Sequence, residues 1–434
     1  MFLITIFYNN CGQPGFETQK INQVSSTSRL AASIPDGDNA LWNPRSSGAF
    51  NSNCLSSNQG LCIFYKNPLV AANLTDGRTS FSSLYNTQLS PNTFQTFRVS
   101  LNLADPNTLK NSTFNVGLGS ETISNGSAGL SFSQRSYAWN QSRPISVAQD
   151  TNFTVVQGSA FFWLDLLRTE WNRRIGGNSM SDSFYSSNKN TLVYASVTQF
   201  SNPSSIRNLL VDNAFYQSSG NFIVLGYKSD AIGNSAYPMA LSGEISIHEM
   251  GHANLFHSRG NTAVEIIDGN SELYKDNYFC KTQNGCFDAI NEGQADFHAW
   301  LIFSDMPTGN ETGKNTLHPT TGTWQFRDQS SQFNQTKTIS ELYRASTLTF
   351  TDQSTKAGEI HFMGGAFTSI LWKIYSDPRT NRRVFEKTFA RLLPFLSSNH
   401  VFQDVKRILL EIDRNNYGGV NSAIISDSFA AKGI

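Results

Sequence analysis

The chain has 434 residues, of which 39% are hydrophobic and 12% aromatic, enough to bury the cores of two or three domains. Lys plus Arg and Asp plus Glu both total 33, so net charge gives no argument for nucleic acid, an anionic membrane or an acidic substrate as partner. Only 15% of the residues are charged, which favours an extracytoplasmic protein. The composition excludes a disordered chain and leaves the function to the motifs.

The segment 1–11 begins with an apolar run over 1–7, which is too short to span a membrane, and ends at Cys11. It is similar to the end of a truncated bacterial lipoprotein signal, whose cysteine becomes lipidated. An ordinary apolar N-terminus with an incidental thiol is the alternative. We therefore expect a secreted protein or one lipid-anchored at the bacterial cell surface, with any membrane attachment through Cys11. A polar linker follows over 12–45.

Residues 46–155 predict a small β-rich domain, which is either a propeptide or an accessory domain. Alternating apolar runs at 96–103, 113–118 and 153–156 are separated by clusters rich in Gly, Asn, Asp and Ser. Cys54 and Cys62 are close enough in sequence to close a small loop as a disulfide in an oxidising compartment.

A long aromatic helix signal at 160–175 places the next boundary, so 156–434 is expected to form a further domain. Strand-like runs at 191–197 and 221–226 follow the helix. The later part of the chain is mostly helical in pattern, with segments at 338–347, 365–375, 381–396 and 401–412. This mixture of strands and helices predicts an α+β fold.

The most informative motif is His248-Glu249-Met250-Gly251-His252. Positions four apart lie on the same face of an α-helix, so the two histidines can bind one zinc ion while Glu249 stands beside it. A catalytic zinc site has three protein ligands and keeps a fourth position open for water. The motif therefore predicts a zinc peptidase whose third ligand lies elsewhere in the chain.

Glu292 is the best candidate for the third ligand. It belongs to the helical pattern Asn291-Glu292-Gly293-Gln294-Ala295-Asp296, in which Glu292 and Asp296 share one helical face. We expect Glu292 to bind the metal and Asp296 to accept the second ring proton of a ligand histidine, which fixes the tautomer of that ring.

With these motifs the region 158–434 resembles the gluzincin metallopeptidases, and within them the thermolysin-like and fungalysin-like families. The resemblance implies a two-lobed fold, with a mixed α/β N-lobe over 156–335 that bears the zinc helix and a mainly helical C-lobe over 336–434. The β-rich domain would precede these lobes. It also implies a metalloendopeptidase that acts on proteins or peptides with one catalytic Zn²⁺ and with Glu249 as general base.

Two further segments extend the resemblance. Asn213 and Ala214, just before a strand, are similar to the segment with which the family binds the substrate backbone. His361, followed by two glycines and a helix, is similar to the histidine that stabilises the tetrahedral intermediate.

The chain departs from the thermolysin type between the two metal-binding helices. Glu292 lies 40 residues after His252, a longer gap, and this insertion over 253–291 carries Cys280 and Cys286, which we expect to form a disulfide. Tyr274 and Tyr278 are positional candidates for the family's oxyanion-assisting tyrosine. The family's cluster of calcium-binding acids is not evident, so calcium is left open.

Two alternatives stay open. The segment from Asn291 to Ala295 also resembles the gluzincin aminopeptidases, although their amine-binding Gly-x-Met-Glu-Asn segment is not evident. The other alternative is a non-catalytic surface lipoprotein or adhesin that keeps a peptidase fold. The intact Glu249 and metal-ligand candidates argue against that loss of activity.

Overall fold

A computed structural model of the chain describes residues 61–64, 96–99, 101–134 with gaps at 102, 104, 106 and 125–126, 153–175, 191–199, 213–229, 235–258, 283–303, and 360–434 apart from 398–399. Within these residues the protein is a mixed α+β structure with strands β1 to β9 and helices α1 to α7. None of the described helices is long and apolar enough to cross a membrane.

Three strands, β3, β4 and β5, have 7 to 11 residues, and the other described strands have three or four. They are β1 (Leu61–Phe64), β2 (Thr96–Val99), β3 (Phe114–Ser124), β4 (Ser127–Ser133), β5 (Thr191–Gln199), β6 (Ala214–Gln217), β7 (Phe222–Leu225), β8 (Tyr227–Ser229) and β9 (Ser235–Pro238).

Six of the seven described α-helices lie in the second half of the chain. They are α1 (Thr154–Ile175), α2 (Gly243–Ser258), α3 (Gln283–Phe303), α4 (Ile360–Ser376), α5 (Arg382–Leu392), α6 (Phe402–Tyr417) and α7 (Ser422–Ala430), with short 3₁₀ turns at Met239–Leu241 and Leu393–Phe395.

Five strands form one sheet in the order β4-β3-β5-β7-β6. β3 runs parallel to β5, and β5 runs parallel to β7, whereas the outer strands β4 and β6 pair antiparallel with their neighbours. A parallel connection needs a crossover, and the chain between β3 and β5 contains α1. α1 packs on the sheet, with the rings of Phe114 in β3 and Phe161 in α1 at 5.3 Å in an edge-on contact.

This sheet crosses the boundary that the sequence analysis placed between 46–155 and 156–434. β3 and β4 come from the first segment, and β5, β6 and β7 come from the second. Because β3 lies between β4 and β5, both strands of the first segment are integral to the same sheet as the later strands. No single run of residues indicates this long-range pairing, and the predicted division of the chain into domains stays a prediction.

Several predicted elements are confirmed. The helix at 160–175, the strands at 191–197 and 221–226, the helix of the His-Glu-x-x-His motif and the helix through Glu292 are all present. The predicted segments at 365–375, 381–396 and 401–412 are helical as well, and α7 is an additional helix. The predicted helix at 338–347 and the expected lobe division at 335 lie outside the described residues.

The predicted strand at 153–156 is wrong, because Thr154 to Val156 form the first turn of α1. Phe153 turns the chain into the helix with a φ of 55°, and its carbonyl accepts a hydrogen bond from the Gln157 amide at 2.9 Å. Gly158 then lets β1 approach, since a Cβ there would lie 2.2 Å from Leu61 Cδ2. Tertiary packing thus overrides the β-propensity of two consecutive valines.

Helices α2, α3 and α4 are packed side by side, α3 in contact with both others. α5 contacts α1 and α6, and α6 contacts α7, so the C-terminal helices extend the same core. The metal-ligand candidates lie on α2 and α3, at the centre of this arrangement.

Candidate metal centre

Helix α2 carries the His-Glu-x-x-His motif and begins in a tightly packed corner. The Ser242 hydroxyl accepts a hydrogen bond from the Ile245 amide at 3.4 Å, which caps the helix. Gly243 lies against the indole of Trp163, since a Cβ there would be 2.6 Å from the ring. The start of α2 is therefore fixed by α1, and the position of the motif is fixed with it.

Helix α3 approaches α2 at Gly251, in the middle of the motif. A Cβ at Gly251 would lie 2.8 Å from the Cα of Ala295, so only glycine allows this approach. Gly251 lies next to His252, and Ala295 lies between Glu292 and Asp296. The contact therefore places the ligand candidates of the two helices opposite one another.

His248, His252 and Glu292 come together as one buried group that could hold a metal ion. The Nε2 atoms of His248 and His252 are 3.0 Å apart. Glu292 Oε2 lies 3.4 Å from His248 Nε2, and Glu292 Oε1 lies 3.8 Å from His252 Nε2. The three residues are at most 7% exposed.

This geometry fits a tetrahedral zinc ion. Bonds of about 2.0–2.1 Å to two ligands at the tetrahedral angle place those ligand atoms about 3.3 Å apart. The separations of 3.0 Å between the two Nε2 atoms and 3.4 Å from His248 Nε2 to Glu292 Oε2 are close to that value, and the second carboxylate oxygen, Oε1, lies 3.8 Å from His252 Nε2. Two imidazoles and a carboxylate are also a donor set typical of catalytic zinc.

Each histidine uses its other ring nitrogen to hold a partner on α3. His248 Nδ1 donates to Asp296 Oδ1 at 2.8 Å, and His252 Nδ1 donates to Asn291 Oδ1 at 2.9 Å. Since both partners accept through oxygen, both Nδ1 atoms carry the proton and both Nε2 atoms face the metal position.

The two ring environments shift the histidine pKa values in opposite directions. Burial acts to lower the pKa of His248, but hydrogen bonds with Asp296 and Glu292 outweigh it and raise that pKa to about 10. For His252 burial prevails over the attraction of Glu292 and, together with the repulsion from His248, lowers the pKa to about 4. In the metal-free protein, the second proton on His248 therefore supplies part of the positive charge that a metal ion would bring next to these carboxylates.

Glu249 lies in α2 directly beside the first ligand candidate and is 3% exposed. Its negative charge is close enough to contribute to the raised pKa of His248. The remaining motif residue, Met250, is fully buried in the core on the other side of the helix.

Helix α4 packs closely against α3 at Glu292. A Cβ at Gly364 would lie 2.5 Å from Glu292 Cβ, and a Cβ at Gly293 would lie 2.5 Å from the Gly364 carbonyl oxygen. The Thr368 hydroxyl donates to the Gly293 carbonyl at 2.9 Å. The third ligand candidate is thus held between two helix backbones in close contact.

Of the other predicted site residues, the structure describes some in full and some only by their backbone. His361 is in the first turn of α4, three residues before Gly364, but its side chain lies outside what the structure describes. Asn213 and Ala214 lie at the start of β6, where the Gly226 amide donates to the Asn213 carbonyl at 3.1 Å. β6 packs against α2.

The cysteine predictions stay predictions. Cys286 is fully buried in α3, and the backbone of Cys62 lies in β1, whereas Cys11, Cys54 and Cys280 lie outside the described residues. Tyr274, Tyr278 and most of the 253–291 insertion also lie outside them.

Sequence reasoning missed two residues of this site, Asn291 and Gln294. Asn291 is the partner of His252, and the Gln294 amide nitrogen donates to the Gly251 carbonyl at 3.1 Å and to Asn291 Oδ1 at 3.2 Å. A usable signal existed, because every ligand histidine needs a partner for its second nitrogen and Asp296 can serve only one.

The fold and the site together define a mixed α+β protein with a buried His-His-Glu group suited to a metal ion. No protein-family model matches the chain, and no curated protein matches it. Among solved structures it is similar to the precursor of protealysin, a metalloproteinase from Serratia proteamaculans, with 12% identity, a TM-score of 0.45, and coverage of 75% of this chain and 91% of that chain.

Proposed function

We propose that the protein is a zinc-dependent metalloendopeptidase. The observation that carries this proposal is the convergence of His248, His252 and Glu292 in one buried group. Glu249 lies next to His248 on α2. His248, His252 and Glu292 would hold the ion. When bound, zinc would supply a Lewis acid that polarises the scissile carbonyl and acidifies a water molecule.

Glu249 is the proposed general base. Its carboxylate takes a proton from the attacking water, whose oxygen adds to the peptide carbonyl carbon. Glu249 then returns that proton to the departing amine nitrogen as the C–N bond breaks. The burial of Glu249 and its place directly after His248 on α2 support this role.

His361 is proposed to donate a hydrogen bond to the oxyanion of the tetrahedral intermediate. The support is its place in the first turn of α4, the helix whose Gly364 contacts the ligand Glu292. A donor on this rigid helix would keep a fixed position relative to the metal ligands.

The proposed binding site for the substrate backbone is β6 with Asn213 and Ala214. β6 is the outer strand of the described five-stranded sheet, and it packs against the metal helix α2. An extended peptide can add to such an edge through main-chain hydrogen bonds, a binding mode that needs no free terminus and so favours an endopeptidase.

The cellular setting is proposed from the sequence alone: an extracytoplasmic protein, secreted or lipid-anchored through Cys11, with the disulfides Cys54–Cys62 and Cys280–Cys286. Its partners would be protein or peptide substrates.

The decisive experiment measures the zinc content of the purified protein and its cleavage of an unstructured protein, with and without a chelator. We expect stoichiometric zinc and chelator-sensitive cleavage. Absence of bound zinc would refute the proposal. Bound zinc without cleavage would favour the non-catalytic surface protein.

Glu249→Gln tests the mechanism separately from metal binding. We expect this variant to retain zinc while hydrolysis falls by about 10²–10⁴-fold, because the general base is lost. Glu411→Gln is the matched control, since the Glu411 side chain on α6 is 44% exposed and far in sequence from the motif. Peptides with blocked and free N-termini, compared with the wild-type enzyme, distinguish an endopeptidase from an aminopeptidase.

A further inference from the structure

Four residues around His252 form a closed ring of hydrogen bonds between α2 and α3. The Gln294 amide nitrogen donates to the Gly251 carbonyl and to Asn291 Oδ1, and Asn291 Oδ1 accepts from His252 Nδ1. Gly251 and His252 are consecutive residues, so the ring begins and ends within the metal-binding motif.

The direction of these hydrogen bonds is set at one end. A backbone carbonyl can only accept, so the Gly251 carbonyl requires the NH₂ end of the Gln294 amide to face it. That NH₂ group has a second hydrogen, which needs an acceptor, and this selects the oxygen of Asn291 over its nitrogen. The Asn291 oxygen in turn requires His252 Nδ1 to carry its proton, which leaves Nε2 with a lone pair for a metal.

His248 does not need a residue that orients its hydrogen-bond partner. Asp296, the partner of His248, offers oxygen on both arms of its carboxylate, so it accepts from Nδ1 in either orientation. Asn291 offers oxygen on one arm and NH₂ on the other. If its amide turned over, it would present a donor to His252 Nδ1 and favour the tautomer with the proton on Nε2.

We propose that Gln294 is a positioning residue, which fixes the amide of Asn291 and through it the metal-binding tautomer of His252. This inference rests on the proposed function in so far as His252 is a metal ligand. Gln294 is fully buried, and its Oε1 has no hydrogen-bond partner among the described residues. A buried amide oxygen without a partner destabilises a fold, so packing alone gives no reason for glutamine here.

The test begins with Gln294→Met, which keeps the length of the side chain and removes both donors. Zinc affinity is measured by competition with a chelator of known affinity, and folding is monitored by thermal unfolding of the metal-free protein. We expect zinc affinity to fall by about tenfold or more, in the range usual for residues that support metal ligands. Wild-type protein that binds no zinc would refute the proposed function, whereas a Gln294→Met variant with wild-type zinc affinity would refute only this inference.

A double-mutant cycle with Asn291→Asp separates positioning from packing. Aspartate at 291 accepts from His252 in either orientation and no longer needs Gln294 to orient it. We therefore expect Gln294→Met to reduce zinc affinity in the wild-type background and to leave it within about twofold in the Asn291→Asp background. An equal loss in both backgrounds would assign Gln294 a packing role and overturn the inference.

The tautomer can also be observed directly in metal-free protein labelled with ¹⁵N in its histidines, in a His248→Phe background where no ring proton of residue 248 can donate to His252 Nε2. The ¹⁵N shifts of a neutral ring distinguish the protonated nitrogen from the other one. In this background we expect the proton of His252 on Nδ1 when Gln294 is present, and a mixture of tautomers in Gln294→Met. A pure Nδ1–H tautomer in the variant would contradict the proposal even if zinc affinity changed.

Discussion

At the scale of single residues, the two histidines are supported by partners of unequal charge. The carboxylate of Asp296 holds the ring of His248 at 2.8 Å, whereas the neutral Asn291 holds His252 at 2.9 Å. A carboxylate partner makes the opposite nitrogen a stronger metal ligand. The metal position is therefore asymmetric before any substrate binds.

Asp296→Asn tests the contribution of that charge. The side chain keeps its shape but can turn a donor toward His248, so we expect zinc affinity to fall by about 10–100-fold. Competition with a chelator provides the measurement. Asp427→Asn is the matched control, because that side chain is 62% exposed on α7. Equal affinities for Asp296→Asn and the wild type would show that Asp296 does not support a ligand.

The pKa values of the two histidines predict how metal binding depends on pH. A metal binds only the neutral imidazole, and in the metal-free protein the pKa of His248 is about 10 while that of His252 is about 4. Near pH 7 His248 is protonated and His252 is neutral, so binding should release about one proton. Apparent zinc affinity should rise by about tenfold per pH unit between about pH 6 and pH 9.

Calorimetry in buffers of different ionisation enthalpy counts the released protons. Zinc binding near pH 7 without proton release would show that His248 is neutral in the metal-free protein.

The raised pKa of His248 also makes the stability of the metal-free protein depend on pH. The pKa of His248 is raised above its usual value, so its contribution to stability is complete below about pH 6.5 and is lost as pH rises toward about 10.

At the scale of secondary-structure elements, the position of Glu292 depends on two glycines where α3 meets α4. A methyl group at Gly364 would lie 2.5 Å from Glu292 Cβ and 3.1 Å from the Gly293 amide nitrogen. Neither neighbour is the end of a flexible side chain. An added methyl group therefore has to push the two helices apart and move the ligand with them.

Gly364→Ala should weaken zinc binding more than its effect on stability explains. Gly158→Ala is the control, because it also adds a methyl group to a packed helix, 2.2 Å from a side-chain atom of Leu61 in β1 and not from a ligand candidate. We expect both variants to lower the thermal midpoint and only Gly364→Ala to lower zinc affinity. Parallel zinc titrations and thermal unfolding decide between these outcomes.

The sequence predicted the site within each helix but not between the helices. The spacing of four residues gave His248 with His252, and Glu292 with Asp296, because helical periodicity alone puts such pairs on one face. The support of His252 by Asn291 and Gln294 depends on the register of α2 against α3. That register is set by the contact of Gly251 with Ala295, which no local pattern reveals.

At the scale of the whole molecule, the same limitation applies to the strand pairing of the central sheet. The strands and α1 were visible locally, but the pairing of β3 with β5 joins residues such as Phe114 and Thr191, which are far apart in sequence. The order strand, helix, strand is also typical of a parallel crossover unit. That interpretation would have kept β3 with the later strands.

The sheet predicts where the chain can be shortened. A fragment over 156–434 lacks β3 and β4, which leaves the edge of β5 unpaired and removes the Phe114 ring from its contact with Phe161. We expect this fragment to be insoluble or to lack a cooperative unfolding transition. A fragment over 101–434 keeps all five strands of the sheet and, of the described elements, lacks only the β1 and β2 pair, so it should be more soluble and retain zinc binding. Soluble expression, thermal unfolding and zinc content compare the two fragments. If 156–434 instead folds cooperatively and binds zinc, then 46–155 is a separable propeptide or accessory domain, and the pairing of β3 with β5 is dispensable for the metal centre.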